Sequence, residues 1–205
     1  MNIPGFIGAS ILLTLMPGPD ILFVITQSLS QGKKTGIIIA LGLCTGLIIH
    51  TTVAGVGLSY VLYTSQWLFK TIKYLGVAYL LYLGIITIFE QTSDSQEFNS
   101  SNKNEKNLYV RGILMNLLNP KVSFFFLAFL PQFIHSDSDN YSFQMIILGL
   151  IFTIQAIIIF SLVSISADVL FRNFLTRKNM TAGFKWIKAL VFFIIALSII
   201  IESFN

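Results

Sequence analysis

The sequence predicts an all-α integral membrane fold: six transmembrane helices forming two inverted three-helix repeats, the first and fourth helices broken. Three observations carry that prediction: a composition too apolar for water, six apolar runs of bilayer-spanning length, and one proline-containing motif that occurs twice. Of 205 residues, 55% are hydrophobic and 11% charged, and the mean hydropathy is +0.79. A soluble domain carries roughly a quarter charged residues, so this chain lacks the polar surface to cover a core in water. Six spans at about 20 apolar residues each use roughly 120 residues. What is left makes short loops, so residues 1–205 read as a single transmembrane domain with no room for a soluble catalytic one. The net charge of +4 rests on few residues and gives a nucleic-acid partner no support. The single cysteine, Cys44, excludes an internal disulfide and argues against a thiolate metal cluster.

The first run, 5–27, resembles a secretory signal only superficially. It has no basic leading region, and Pro17-Gly18-Pro19-Asp20 interrupts it where a small-residue cleavage site would stand. It is read as a retained span. The other runs are 36–61, 67–89, 111–133, 143–165 and 183–203. Only helices and closed barrels satisfy their backbone in hydrocarbon. Barrel strands alternate in polarity, which Ile37-Ile38-Ile39 and Phe124-Phe125-Phe126 do not. Among the links, 28–35 carries Lys33 and Lys34, 134–142 carries Asp137 and Asp139, and 168–182 carries Arg172, Arg177 and Lys178. The longest polar link, 91–107, joins two halves, 1–90 and 108–205.

Basic residues then orient the chain. Of thirteen Lys and Arg, ten belong to the first, third and fifth links with their flanks: Lys33, Lys34, Lys103, Lys106, Arg111, Arg172, Arg177, Lys178, Lys185 and Lys188. The second link holds Lys70 and Lys73, the fourth holds none, and Lys121 lies inside a span. Positive charge marks the cytoplasmic side, so the odd links face the cytoplasm and both termini lie outside. With three spans in each half, the halves are inverted relative to one another.

The repeat is visible in the motifs. Gly18-Pro19-Asp20 matches Asn119-Pro120-Lys121 at an offset of 101, and Phe23 then aligns with Phe124. Proline lacks an N–H and disturbs the preceding turn, so Pro17, Gly18 and Pro19 break the first span and Pro120 breaks the fourth. Pro19 suits the first position of a second half-helix, and Asn119 suits an N-cap. Each break aims free N–H groups and a positive dipole end into the span, a site fit for a carboxylate. The competing reading is a pair of kinks that only shape packing. Charges deep in a bilayer are costly, about 2.5–3.5 kcal/mol on insertion scales, and face partners or water. Asp20 would take a substrate amine or carry a coupling proton. Lys121 would hold a substrate carboxylate or neutralise Asp20, and a purely structural ion pair competes with both roles.

His50 shares a helical face with Gly42 and Gly46. It is either a proton relay or a hydrogen-bonded residue of a close packing seam. Asn116 and Gln155 either line a path or glue helices together. No cofactor is implied, and no His, Cys or carboxylate spacing fits a metal. The absence of a Walker A motif leaves direct ATP drive unsupported. Trp67, Tyr74, Tyr109 and Trp186 read as interfacial anchors, and Tyr79 and Tyr82 as packing. A membrane-embedded enzyme would need a nucleophile–base pair; Cys44 and His50, six residues apart, share no helical face.

Together these motifs resemble the LysE/Rht family of amino-acid exporters. The resemblance runs through Met16-Pro17-Gly18-Pro19-Asp20, the recurring glycines from Gly32 to Gly46 with His50 beyond them, and Lys73-Tyr74-Leu75-Gly76-Val77-Ala78-Tyr79-Leu80-Leu81-Tyr82-Leu83-Gly84. It continues from Gly112 through Asn116-Leu117-Leu118-Asn119-Pro120-Lys121 to Phe129-Leu130-Pro131-Gln132-Phe133. It covers essentially the whole chain in order, with the last third offering only apolar spans. The resemblance implies a bacterial inner-membrane exporter of neutral or basic amino acids or homoserine-type compounds, energised by the proton gradient. Its partners would then be a small amino-acid-like substrate, protons and the lipid bilayer, with room for a homo-oligomer. Heavy-metal or other cation efflux within the same superfamily, and a passive channel, are the alternative functions.

Overall fold

The computed structural model describes residues 1–58, 60, 65–89, 105–134 and 140–175, together with Trp186, Ala189, Leu190, Phe193, Ile194, Ala196, Leu197 and Ile200. Asp137, Asp139, Lys103, Arg177, Lys178, Lys185 and Lys188 lie outside these residues, as do most of the link 91–107 and of the sixth run, 183–203.

The first span is two helices. Helix α1 (Ile3–Leu15) starts where the Asn2 side chain accepts the Gly5 N–H at 3.1 Å, a side-chain N-cap of the expected kind. It stops at Met16, whose backbone turns extended. Helix α2 (Pro19–Gln31) starts after an extended Gly18 and leaves α1 at a bend of 54°. Chain reversal into α3 (Lys33–Val53) then takes a single residue, Gly32, at φ 90°, a conformation open to glycine because it has no Cβ. The link expected over 28–35 is therefore almost entirely helix.

Helix α3 ends in a π-helical turn, Ala54–Leu58, and α4 covers Gln66–Phe89. Helix α5 (Glu105–Leu117) leads into α6 (Pro120–Phe124), which continues through a π-helical turn at Phe125–Phe129 and a tight turn at Leu130–Phe133. The bend between these two arms is 50°. Helix α7 (Tyr141–Leu175) contains the apolar stretch Tyr141–Ala167, close to the span expected over 143–165, and continues into the start of the link 168–182. Asp168 and Arg172 mark where a chain leaves hydrocarbon, but neither residue type stops a helix.

Among the described residues the chain is all helix. Three stretches, Lys33–Gly57, Lys70–Phe89 and Tyr141–Ala167, are long and apolar enough to cross a bilayer, and each bent pair counted as one span raises the number to five. Large apolar side chains such as Leu12, Val53 and Ile154 are exposed, as expected where lipid is the solvent.

Glycines set the closest crossings. A Cβ on Gly42 would strike the Tyr109 carbonyl of α5, and one on Gly112 would stand 2.7 Å from the Ile39 carbonyl of α3. Small residues at such points let helix backbones meet in a membrane. Tyr109, expected as an interfacial anchor, shares a hydrogen bond of 2.7 Å with the Thr45 hydroxyl on this crossing.

Candidate functional site

The two helix breaks meet one another. Asp20, in the first turn of α2, and Lys121, in the first turn of α6, are both buried and line one cavity with Asn116, Thr14 and an apolar wall that includes Leu47 and Phe152. Asp20 suits its place, since the N-terminal end of a helix favours an anion.

Lys121 sits at the end of a helix that disfavours a cation, and its side chain reaches away. Its Nζ donates to the Leu13 carbonyl of α1 at 3.2 Å. In an unbroken helix that carbonyl would accept the N–H of residue 17, and Pro17 has none. The Lys121 ammonium supplies the donor that Pro17 lacks.

The second break poses the same problem. The Asn116 carbonyl would accept the N–H of residue 120, which is Pro120. It takes instead the Asn119 N–H at 3.0 Å and a long contact of 3.5 Å from His50 Nε2 on α3. His50 is thus placed at the break, stacked on Phe126 with ring centroids 5.5 Å apart. It belongs to the Gly42–Gly46 seam, where a Cβ on Gly46 would lie 2.6 Å from Asn116 Oδ1.

Asn119 caps α6 by accepting the Lys121 N–H at 3.1 Å. Its amide approaches the Asp20 carboxylate without closing a hydrogen bond, so Asn119 Nδ2 and Asp20 Oδ1 are both buried and unpartnered, as is Asn116 Oδ1. Buried polar atoms are ordinarily satisfied, and these three lie at one helix crossing. Gln155 does not line the cavity. It ties α7 to α1 by donating to Thr14 Oγ1 at 2.9 Å and to the Ser10 carbonyl at 3.4 Å.

The cavity leaves about 10 Å³ for the centre of a water-sized sphere, the space of a single water. The space is too small for an amino acid, and a larger molecule enters only if helices part. Among the described residues, no three His, Cys, Asp or Glu side chains gather as metal ligands.

A family model described as LysE type translocator matches residues 11–203. The chain belongs to the LysE type translocator family. Relatives of the translocator include the membrane protein YrhP of Bacillus subtilis, 38% identical over 76% of this chain and 78% of that one. A membrane protein of Vibrio cholerae is 30% identical over 85% and 87% of the two chains. A leucine efflux protein of Salmonella choleraesuis is 28% identical over 88% and 85%. No solved structure matches the chain. The translocator is thus a multi-pass membrane protein, and its family handles small molecules.

Sequence reasoning missed Thr14 and the apolar wall. Thr14 was findable as a hydroxyl six residues before Asp20 inside an otherwise apolar stretch. Leu47, Val122, Phe152 and Phe160 carry no local signal, because lining a cavity and filling a core call for the same residue types.

Proposed function

We propose that this translocator is a secondary active exporter of amino acids or close derivatives, working by antiport with protons. The observation that carries the reading is the buried Asp20 carboxylate and Lys121 ammonium, brought from two helix breaks to one cavity with an apolar wall. Those groups match the ends of an amino acid, and the wall suits an apolar side chain. The substrate ammonium would replace Lys121 at Asp20 and the Leu13 carbonyl, and the released Lys121 would take the substrate carboxylate. Protonation of Asp20 from outside would weaken its hold on the ammonium and release substrate. Asn119, Asn116 and Pro17-Gly18-Pro19 with Pro120 shape the binding point, His50 supports the second break, and Gln155 holds α1. The leucine efflux relative favours a neutral substrate of this kind.

The full architecture belongs to the same proposal: six spans in two inverted halves, 1–90 and 108–205, joined by a cytoplasmic link, in a bacterial inner membrane with both termini outside. Its support is that the two bends, 54° and 50°, nearly agree. Alternating access around a fixed site between broken helices is a recurrent design for such repeats. Cysteine at Ser101, in a Cys44→Ala background, should resist impermeant thiol reagents in intact cells; ready labelling would reverse the orientation.

Counterflow in proteoliposomes against a panel of amino acids tests the function. Exchange of leucine or a similar zwitterion, with uphill movement abolished by a proton uncoupler, is the expected result. Uphill movement that ignores the uncoupler sinks proton antiport, and flux that never becomes uphill favours a channel.

A further inference from the structure

Resting on the exporter reading above, we infer that Lys121 sets the charge class of the substrate, admitting molecules of zero net charge and excluding cationic amino acids. Among the described lining residues, formal charge comes from Asp20 and Lys121 and sums to zero; Thr14, Asn116 and the apolar wall add none. Arg111 lies over the Phe23 ring at 5.0 Å and is not among the described lining residues. Helices must part to admit a substrate, and a charge lying against this largely apolar wall loses much of its hydration, so it must find its counter-charge on the protein. A zwitterion does so completely: its ammonium meets Asp20, its carboxylate meets Lys121, and four charges pair. A substrate with a second ammonium or a guanidinium brings one cation too many, which finds no second acid among the described lining residues and faces Lys121. Like charges brought together without water oppose binding strongly.

The first break keeps the Lys121 ammonium within reach. A Cβ on Gly18 would lie 3.3 Å from Lys121 Nζ, so the glycine leaves no side chain between the ammonium and a ligand lying along the break.

The measurement is the ratio of radiolabelled lysine to leucine counterflow in the same proteoliposomes, in which the amount of assembled protein cancels. Wild type should strongly favour leucine. Lys121→Gln leaves the wall at −1, and the ratio should rise by at least about tenfold, a change in relative binding of about 1.4 kcal/mol. Asn116→Asp, nearly isosteric, keeps Lys121 and also adds a negative charge, so it should move the ratio the same way and serves if Lys121→Gln does not assemble. Lys121→Arg should hold the ratio within about twofold, as charge is conserved. An unchanged ratio in Lys121→Gln, or in Asn116→Asp alone if only that variant assembles, overturns the inference. So does a shift in Lys121→Arg as large as in Lys121→Gln. Failure of both charge variants to assemble overturns it too, by assigning the pair to assembly. Wild-type leucine counterflow with unmoved variants sinks this inference alone, whereas a wild type that counterflows no amino acid sinks the exporter reading with it.

Discussion

The two helix breaks solve one physical problem with different materials. At the first, Pro17 orphans the Leu13 carbonyl and a full ammonium repairs it at 3.2 Å. At the second, Pro120 orphans the Asn116 carbonyl, and Asn119 N–H repairs it with a more distant His50. The second helix is capped by a side chain, Asn119; the first follows Gly18, which has none to offer. The helices beyond differ as well. Helix α2 ends against small hydroxyls, Ser28 donating to Ser164 at 2.9 Å beside Gly36. The arm after α6 is buried by rings: Phe125 has Phe6, Phe126, Phe129 and Phe152 within 6.2 Å between centroids. Hydrogen-bonded hydroxyls between membrane helices contribute about 0.6 kcal/mol on average, and a buried ring contributes several times that. Helix α2 also buries Phe23, Val24 and Ile25, so the arms differ in what holds their far ends, hydroxyls for α2 and rings for the α6 arm.

The largest expected effects separate the arms most clearly. Phe125→Ala should lower stability by about 3 kcal/mol, the low end for a buried ring because lipid already supplies an apolar reference. Thermal unfolding of the purified protein in detergent measures it, and a loss near zero would mean that the aromatic arm is not tightly packed. Asp20→Asn tests the charge difference between the breaks. If Asp20 serves only as a counter-ion, Lys121 is left uncompensated at a cost of about 3–5 kcal/mol, and protein level falls. Asp20→Asn/Lys121→Gln should then restore it. If Asp20 carries the coupling proton, the variant assembles and exchanges substrate but loses uphill export. A well-assembled Asp20→Asn protein that still concentrates substrate would refute both roles.

What was legible in the sequence is what proline and glycine dictate locally. Pro17, Gly18, Pro19 and Pro120 fix where helices stop, because a missing N–H acts within one turn of its own position. Asp20, Lys121 and Asn116 were findable as polar groups inside apolar runs. Their partners were not. Lys121 finds its acceptor 108 residues away, and His50 meets Asn116 across 66; such pairings depend on how helices cross. The expected run 143–165 falls within the apolar stretch Tyr141–Ala167, and helices α7 and α2 continue past their apolar runs for another reason. Polarity marks the bilayer edge, whereas Gly32 at φ 90° or a helix extended to Leu175 records backbone geometry, and the two need not coincide.

A smaller effect isolates the caps. Asn119→Ala removes the acceptor for the Lys121 N–H and should cost about 1 kcal/mol. Gly18→Ala removes no cap and instead brings a Cβ to 3.3 Å from Lys121 Nζ. Asn119→Ala should therefore act chiefly on thermal stability, and Gly18→Ala chiefly on transport. Equal stability losses would erase this distinction between the breaks.

The smallest expected effect is the most informative about which arm yields. Ser164 donates to the Lys33 carbonyl at 2.7 Å and accepts from Ser28, tying α7 to the junction of α2 and α3. In Ser164→Ala, the single Ser28 hydroxyl proton turns to the Val24 carbonyl 2.6 Å away, so no buried hydroxyl is stranded and the penalty for an unmade bond is avoided. The substitution also removes one of the two hydroxyls crowding Gly36. The net loss should stay near 0.6 kcal/mol, the average for such bonds between membrane helices, about a fifth of that expected for Phe125→Ala. If α2 is the arm that parts during the cycle, this slight loosening should leave substrate affinity unchanged and raise the rate of exchange. A stability loss equal to that of Phe125→Ala would show both arms to be held alike. An unchanged exchange rate with the small stability loss would place the moving arm at α6, despite its rings.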